Sequence, residues 1–186
     1  MLLKNVNNIN SSVEVIVMIK ILTGVGSRET PPDVLIRMGK IAKSFSSKGF
    51  VLRSGGAKGA DQAFENSWKG NSEIFLPWNG YEGRWVKNGY IVPALTQAHY
   101  ELAERCHPAW DRCTDGAKKM HCRNTCQVMG EHLDSPTGLL VCWTREGKYV
   151  GGTSVAMRIA VMNNIPIYNL AVPEAVIALR ELYDSL

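Results

Sequence analysis

The sequence lacks the long apolar run that a membrane-spanning helix requires, since no apolar stretch approaches the length of a span. It also lacks the unbroken apolar core of a signal peptide, because polar side chains interrupt the first residues of the chain. These interrupting residues are Asn5, Asn7, Asn8 and Asn10. We therefore expect a cytoplasmic protein with no membrane partner.

The sequence also lacks a CxxC pair, although metal-ligating residue types gather between positions 106 and 126. The five cysteines are an odd number, and the protein is expected to be cytoplasmic. Both observations argue against a disulfide framework. The candidate ligands are Cys106, His107, Cys113, His121, Cys122 and Cys126. Because zinc knuckles usually contain a CxxC pair, we predict no metal site and no cofactor, and we expect buried or unreactive thiols.

The sequence has no internal repeat, no linker and no strong excess of one charge. Its 186 residues carry a net charge of +4, which is weak support for nucleic-acid binding. The one local cluster of positive charge, Lys118, Lys119 and Arg123, is interpreted as a solvated helix face. We expect residues 1–17 to be an N-terminal extension, either disordered or leading into the first strand. Residues 18–186 then form a single domain.

Strand-like and helix-like segments alternate along the chain. The apolar patterns predict strands over residues 19–23, 50–53, 73–76, 138–143 and 165–169. They predict helices over residues 32–47, 60–68, 94–105, 115–129, 153–162 and 173–183. Such alternation indicates an α/β fold with a doubly wound, mainly parallel sheet and helices on both faces, as in Rossmann-like domains.

Three glycine-rich segments open helix-like stretches, and the first two clearly follow strand-like runs. This layout presents free backbone N–H groups to an anion at a helix N-terminus. The predicted ligand-binding residues are Gly24, Gly26, Ser27 and Arg28 in the first segment, Ser54, Gly55, Gly56, Ala57, Lys58, Gly59 and Asp61 in the second, and Gly151, Gly152, Thr153 and Ser154 in the third. Because ligands bind beyond the carboxyl ends of parallel strands, we predict one crevice for a phosphate or nucleotide.

Aromatic and polar side chains near the predicted crevice have alternative interpretations. Trp78 and Trp143 end strands on the crevice side, where they could stack on a base, whereas packing in the core is the simpler interpretation of Trp110. Asp61 is expected mainly to cap and orient its glycine loop. His121, Arg123 and Asn124 could reach a base edge or a neighbouring subunit, but a solvated helix face is the preferred interpretation.

Two glutamates are candidate catalytic residues for cleavage of an N-glycosidic bond. Such cleavage needs a carboxylate near the anomeric carbon, acting as nucleophile or as the base that activates water. Glu65 lies four residues after Asp61, so both carboxylates are predicted on one face of the second helix. Glu82, in a loop with aromatic neighbours, is the second candidate.

The three glycine-rich segments together resemble the SLOG superfamily, a Rossmann-like group that includes DprA and the LOG phosphoribohydrolases. The resemblance rests on residues 23–28, 54–61 and 151–154, with residues 165–170 after them. The second segment is similar to the DprA pattern of a glycine pair, a basic residue, then glycine, a hydrophobic residue and aspartate. The family resemblance implies a ligand related to nucleotides.

The chain departs from the LOG enzymes at one position of their PGGxGTxxE motif. Ala156 stands where that motif has a glutamate that takes part in catalysis, which argues against phosphoribohydrolysis with the usual residues. Three hypotheses follow: a nucleotide sensor or sequestering protein, a nucleotide N-glycosidase that releases free base, and a DprA-like binder of single-stranded DNA. The resemblance and the long helices after residue 94 also suggest a homodimer or a higher homo-oligomer.

Overall fold

A computed structural model describes residues 19–186, so the extension expected over residues 1–17 lies outside the described residues. The strands are β1 (Ile21–Gly24), β2 (Val51–Ser54), β3 (Ser72–Ile74), β4 (Leu139–Cys142) and β5 (Ile167–Asn169). They form one sheet in the order β3-β2-β1-β4-β5, and every pairing is parallel. This order, with helical crossovers, confirms the doubly wound Rossmann-like fold predicted from the alternation.

Six α-helices lie within residues 19–186. They are α1 (Pro32–Ser47), α2 (Ala60–Ser67), α3 (Gln97–Cys106), α4 (Asp115–Met129), α5 (Thr153–Met162) and α6 (Pro173–Ser185). The boundaries of α1 could be predicted because local residues mark both of its ends. Pro32 occupies its first turn, where the missing N–H is no loss, and Gly49 follows it at a φ of +80° that favours glycine.

A different layer of helices packs on each face of the sheet, and alternate residues of β4 contact one layer or the other. Leu139 and Val141 pack with α1, α2 and α6, whereas Leu140 and Cys142 pack with α3, α4 and α5. This alternation follows from the two-residue period of a strand. A strand that is buried on both faces must be apolar throughout, as the residues of β4 are.

The strand register brings two of the glycine-rich segments side by side. Thr23 of β1 pairs with Arg53 of β2, and Gly24 pairs with Val141 of β4. The chain therefore leaves β1, β2 and β4 at the same edge of the sheet, where ligands bind in folds of this class.

The apolar sides of α3 and α4 are covered within the chain. Leu102 and Cys106 of α3 and Val128 of α4 share a buried cluster with α5. These faces were the residue-based reason for expecting an oligomer, and they have partners inside one subunit. Over residues 19–186, every helix is too short or too polar to cross a bilayer.

Candidate functional site

A cavity of about 530 Å³ opens at the carboxyl edge of the sheet, between the segments that follow β1, β2 and β4 and one side of α4. Its volume is within the range that holds a small-molecule ligand. It is lined by Val25, Gly26, Ser27, Arg28, Glu29, Ala57, Asp61, Tyr81, Met120, His121, Arg123, Asn124, Gln127, Thr144, Arg145, Val150, Gly151, Gly152, Thr153 and Ala156.

All three glycine-rich segments contribute to this lining. The residues predicted from sequence that line the cavity are Gly26, Ser27, Arg28, Ala57, Asp61, Gly151, Gly152 and Thr153. The predicted residues outside the lining are Gly24, Ser54, Gly55, Gly56, Lys58, Gly59, Ser154, Trp78, Trp143, Glu65 and Glu82. The three segments thus meet at one cavity. Many of their residues do not line it and instead pack beneath the residues that do.

Several of the predicted residues outside the lining have packing roles that explain their identity. A Cβ on Gly24 would lie 2.6 Å from the ring of Phe64, so glycine lets α2 pack against the end of β1. Gly59 has a φ of +86° and its missing Cβ would approach the Ser27 carbonyl at 2.8 Å. The Ser54 hydroxyl donates to the Gly24 carbonyl at 2.6 Å, which ties β2 to β1.

Three side chains, Asp61, Arg123 and Gln127, form what we call the floor of the cavity. Asp61 is 4% exposed and Arg123 is also 4% exposed, and Asp61 Oδ2 lies 3.7 Å from Arg123 Nη1. Burial raises the pKa of Asp61 to about 6, although the charge of Arg123 opposes this rise. The Ala57 N–H donates to the same carboxylate oxygen at 3.4 Å, so Asp61 also orients the second glycine-rich segment.

The guanidinium of Arg123 occupies the space that a side chain at position 55 would fill. A Cβ on Gly55 would lie 1.3 Å from Arg123 Nη1. With its amide oxygen turned toward this group, Gln127 accepts from Nη1 at 2.6 Å and from the Gly55 N–H at 2.8 Å. Arg123 Nε is buried and has no hydrogen-bond partner among the described residues. The floor therefore holds a cation with one unused donor.

This geometry corrects the interpretation of α4 as a solvated face around Arg123. His121, Arg123 and Asn124 are buried, and Gln127 is 1% exposed. The Asn124 amide donates to the Gly152 carbonyl at 3.1 Å, which fixes α4 against the third glycine-rich segment. The prediction failed because this helix is polar on a side that faces the cavity, and a polar stripe normally indicates solvent.

Arg28, Lys58 and Glu82 form what we call the rim cluster, which is more exposed than the floor. Glu82 lies 3.5 Å from Arg28 and 3.4 Å from Lys58. Its backbone has a φ of +50°, which is uncommon for a residue with a side chain. Arg28 also donates to the Tyr81 hydroxyl at 2.8 Å. The two cations predicted to hold a phosphate are thus paired with a carboxylate in this structure.

Glu65 has a different set of partners, away from the cavity lining. Its carboxylate accepts from Arg84 Nη2 at 2.9 Å and Arg84 Nε at 3.1 Å. Its other oxygen accepts from the Tyr90 hydroxyl at 2.7 Å. With both oxygens engaged and Arg84 buried, this carboxylate links α2 to the segment before α3.

Tyr81 lines the cavity, whereas the two predicted tryptophans do not. Trp78 is 41% exposed and packs edge-on against Tyr81, with ring centroids 5.3 Å apart. Trp143 packs against the core on the α1, α2 and α6 side of the sheet. The guanidinium of Arg123 lies 5.9 Å from the centroid of the Tyr81 ring, so Tyr81 connects the floor with the rim cluster.

The third glycine-rich segment supplies the other wall. Gly151, Gly152 and Thr153 line the cavity where α5 begins, and the first turn of a helix has N–H groups without a helical acceptor. The Ser154 hydroxyl, which was predicted to bind the ligand, donates to the Gly151 carbonyl at 2.7 Å. Arg145 also lines this wall and pairs with Glu29 at 3.0 Å, with both side chains exposed.

Sequence reasoning did not select Tyr81, Gln127, Thr144 or Arg145 as site residues, although all four line the cavity. The signal for Arg145 was its position, since it follows β4 at the same edge as Arg28. No local signal pointed to Gln127, because its role depends on contacts with a distant part of the chain. Comparisons of this chain with family models, with curated proteins and with solved structures find no match.

Proposed function

We propose that this chain binds a small nucleotide or a nucleotide-derived signal in the cavity at the carboxyl edge of the sheet, as a sensor or a sequestering protein. The observation that carries the proposal is the meeting of three glycine-rich segments with Arg28, Arg123 and Arg145 around about 530 Å³. Backbone N–H groups and arginines are the donors that bind phosphate oxygens. A cavity of this size with such donors suits a phosphate-bearing small molecule.

The start of α5 and two exposed arginines of the cavity lining are the proposed phosphate contacts. Gly152 and Thr153 lie at the positive end of the helix dipole, and Arg28 and Arg145 line the cavity with exposed side chains. The rim cluster is part of the same proposal. Glu82 holds Arg28 and Lys58 until a phosphate competes for these cations.

Binding without cleavage is proposed because the candidate glutamates are poorly placed for chemistry in the cavity. Glu65 is held by Arg84 and Tyr90, and Glu82 is paired with two cations. Ala156 lines the cavity and supplies no carboxylate there. A ligand in this cavity would therefore meet neither glutamate in the arrangement that the structure has.

The proposal is tested by calorimetry and mass spectrometry on the full chain with a fixed panel. The panel contains nucleoside mono-, di- and triphosphates, cyclic dinucleotides, the parent nucleosides and a short single-stranded DNA. We expect one phosphate-bearing small molecule to bind and to be recovered intact. Arg28→Ala should weaken its binding about ten-fold, as expected for loss of one charged hydrogen bond.

The matched control is Arg180→Ala, because Arg180 is exposed on α6 and pairs with Asp184 in its own helix. This variant should bind as the unchanged chain does. Absence of binding across the panel would overturn the proposal, as would equal losses in the two arginine variants. Binding of the DNA alone, with an affinity that falls steeply with salt, would favour the single-strand hypothesis instead.

One observation supports N-glycosidic cleavage as a second candidate function. Asp61 lines the cavity, and burial raises its pKa to about 6, close to the operating range of a general base. In this alternative Asp61, rather than Glu65 or Glu82, activates the attacking water. Release of free base by the unchanged chain and its loss in Asp61→Asn would support cleavage. Intact recovery of every bound ligand would exclude it.

A further inference from the structure

The connection between α3 and α4 brings together two histidines and a cysteine that the nucleotide proposal does not use as a group. His107 directly follows α3, Cys113 follows the short 3-10 helix Trp110–Arg112, and His121 lies in α4. One candidate ligand atom from each residue lies within 4.8 Å of those from the other two. All three residues are among the six candidate ligands of the sequence, but the missing CxxC pair led to a prediction of no metal site.

The individual contacts show that the three side chains face one another. The rings of His107 and His121 have centroids 4.4 Å apart. Cys113 Sγ lies 3.7 Å from both ring nitrogens of His107. Tetrahedral zinc with two nitrogens and one sulfur separates its ligand atoms by about 3.3–3.6 Å. Modest side-chain rotation would therefore bring the cluster to that geometry.

An unsatisfied nitrogen points to a missing partner in the cluster. His121 is 9% exposed, and its Nδ1 is buried without a hydrogen-bond partner among the described residues. A buried imidazole nitrogen without a hydrogen-bond partner is available to bind a metal.

The remaining two ligands can adapt to a metal at little structural cost. His107 Nδ1 accepts from the Ala109 N–H at 3.1 Å, and Ala109 is only partly buried, so water can replace this acceptor. Cys113 is a free, partly buried thiol, which would lose its proton on coordination. Trp110 packs near both histidines, with ring centroids 6.2 and 6.5 Å away, and shields one side of the cluster.

We propose that His107, Cys113 and His121 form a Zn²⁺ site that joins the α3–α4 connection to helix α4. A thiolate and two imidazoles are ligands that zinc prefers, and three protein ligands leave a fourth position for water or another small ligand. The site borders the cavity, because His121 also lines it. The proposal does not depend on nucleotide binding, since zinc binding is measured in the absence of any nucleotide.

The test titrates the metal-free full chain with Co²⁺, followed by competition with Zn²⁺. We expect one equivalent of Co²⁺ to give the near-ultraviolet charge-transfer band of a thiolate ligand and the visible bands of a tetrahedral ion. Zn²⁺ should displace it and raise the melting temperature of the chain, because a metal that binds only the folded state stabilises it. X-ray absorption should show one sulfur and two imidazoles around the zinc.

Cys113→Ser and Cys142→Ala are the matched pair of variants, because each leaves four of the five cysteines. Cys142 lies in β4, outside the cluster. Cys113→Ser should lose the charge-transfer band and weaken zinc binding at least about 100-fold, since changes to residues that only support metal ligands already cost about 10–100-fold. Cys142→Ala should retain both, and so should His132→Ala, because His132 is an exposed histidine outside the cluster. The proposal is overturned if the unchanged chain gives no thiolate band, or if Cys113→Ser keeps it.

Discussion

Helix α2 carries two carboxylates four residues apart, and the structure gives them opposite surroundings. Glu65 has both oxygens engaged by Arg84 and Tyr90, outside the cavity lining. Asp61 lines the cavity, 3.7 Å from an arginine whose Nε has no partner among the described residues. A carboxylate whose hydrogen bonds are complete stabilises the fold. A buried carboxylate with a loosely placed partner retains the capacity to respond to a ligand or to pH.

Breaking the Asp61 pair should cost more stability than breaking the Glu65 pair or the rim cluster. Arg123→Met would leave Asp61 buried without its cation, and at pH 7 we expect a loss of about 3 kcal/mol in the free energy of unfolding. Chemical denaturation measures this loss. The double variant Arg123→Met with Asp61→Asn should be less destabilised, because no buried charge remains unpaired. Equal losses of unfolding free energy in the single and double variants would contradict an interaction between Asp61 and Arg123.

The raised pKa of Asp61 predicts a pH dependence of stability with a definite sign. Because burial raises the pKa of Asp61 from the ordinary value of 3.8 to about 6, the folded state binds an extra proton between these values. The contribution of Asp61 to the free energy of unfolding therefore falls as pH rises from about 4 to about 6, by an amount on the order of 3 kcal/mol. Above pH 6 this contribution no longer changes with pH.

Denaturation curves for the unchanged chain and Asp61→Asn, measured from pH 4 to pH 7, test this sign. Arg123 is present in both proteins, so the difference between the curves isolates the titration of the carboxyl group. The advantage of Asp61→Asn should grow as pH rises through the window. A difference that is flat with pH, or that shrinks, would show that burial does not dominate at Asp61.

Breaking the Glu65 pair should have a smaller effect, confined to stability. Glu65→Ala leaves the Arg84 guanidinium and the Tyr90 hydroxyl without their acceptor, and we expect a loss of about 2 kcal/mol. Affinity for the bound nucleotide should change little, because Glu65 does not line the cavity. Loss of ligand affinity without loss of stability would reverse the roles assigned to the two carboxylates.

The smallest change in stability is expected at the rim cluster. Glu82→Gln removes a carboxylate whose cationic partners are largely exposed, so unfolding should change by less than about 1 kcal/mol. Affinity for a phosphate-bearing ligand should rise about five-fold, equivalent to ~1 kcal/mol, because Arg28 and Lys58 lose a competing anion. Calorimetry beside Glu181→Gln, an exposed control on α6, checks this. Weaker binding in Glu82→Gln would mean that Glu82 contacts the ligand directly.

Much of the fold could be predicted because its signals are local. The boundaries of α1, α4 and α5 match the predicted ranges, since each helix has a signal at or beside its start: Pro32 in α1, the Thr114 cap before α4 and the glycine pair before α5. The strand ends shifted by one or two residues, as at β1 and β2. Pairing between neighbouring strands sets these ends, and one strand's own residues do not contain that information.

The candidate site was predictable only where it is built from glycine-rich segments. The position of Arg28 after β1 indicated its place in the lining, as the structure has it. The floor was not predicted, because Arg123 and Asp61 come from distant parts of the chain and meet only through packing of α4 against the second segment. The partners of Glu65 were missed for the same reason, since Arg84 and Tyr90 lie in a loop without a regular pattern.

Gly55 and Arg123 have a consequence for how this chain can change over generations. A methyl group at position 55 would overlap the guanidinium of Arg123, so the residue allowed at position 55 depends on the residue at position 123. A lineage could accept a side chain at position 55 only after position 123 had become shorter. The order of the two mutations is therefore constrained, and relatives that keep this floor should show the two positions varying together.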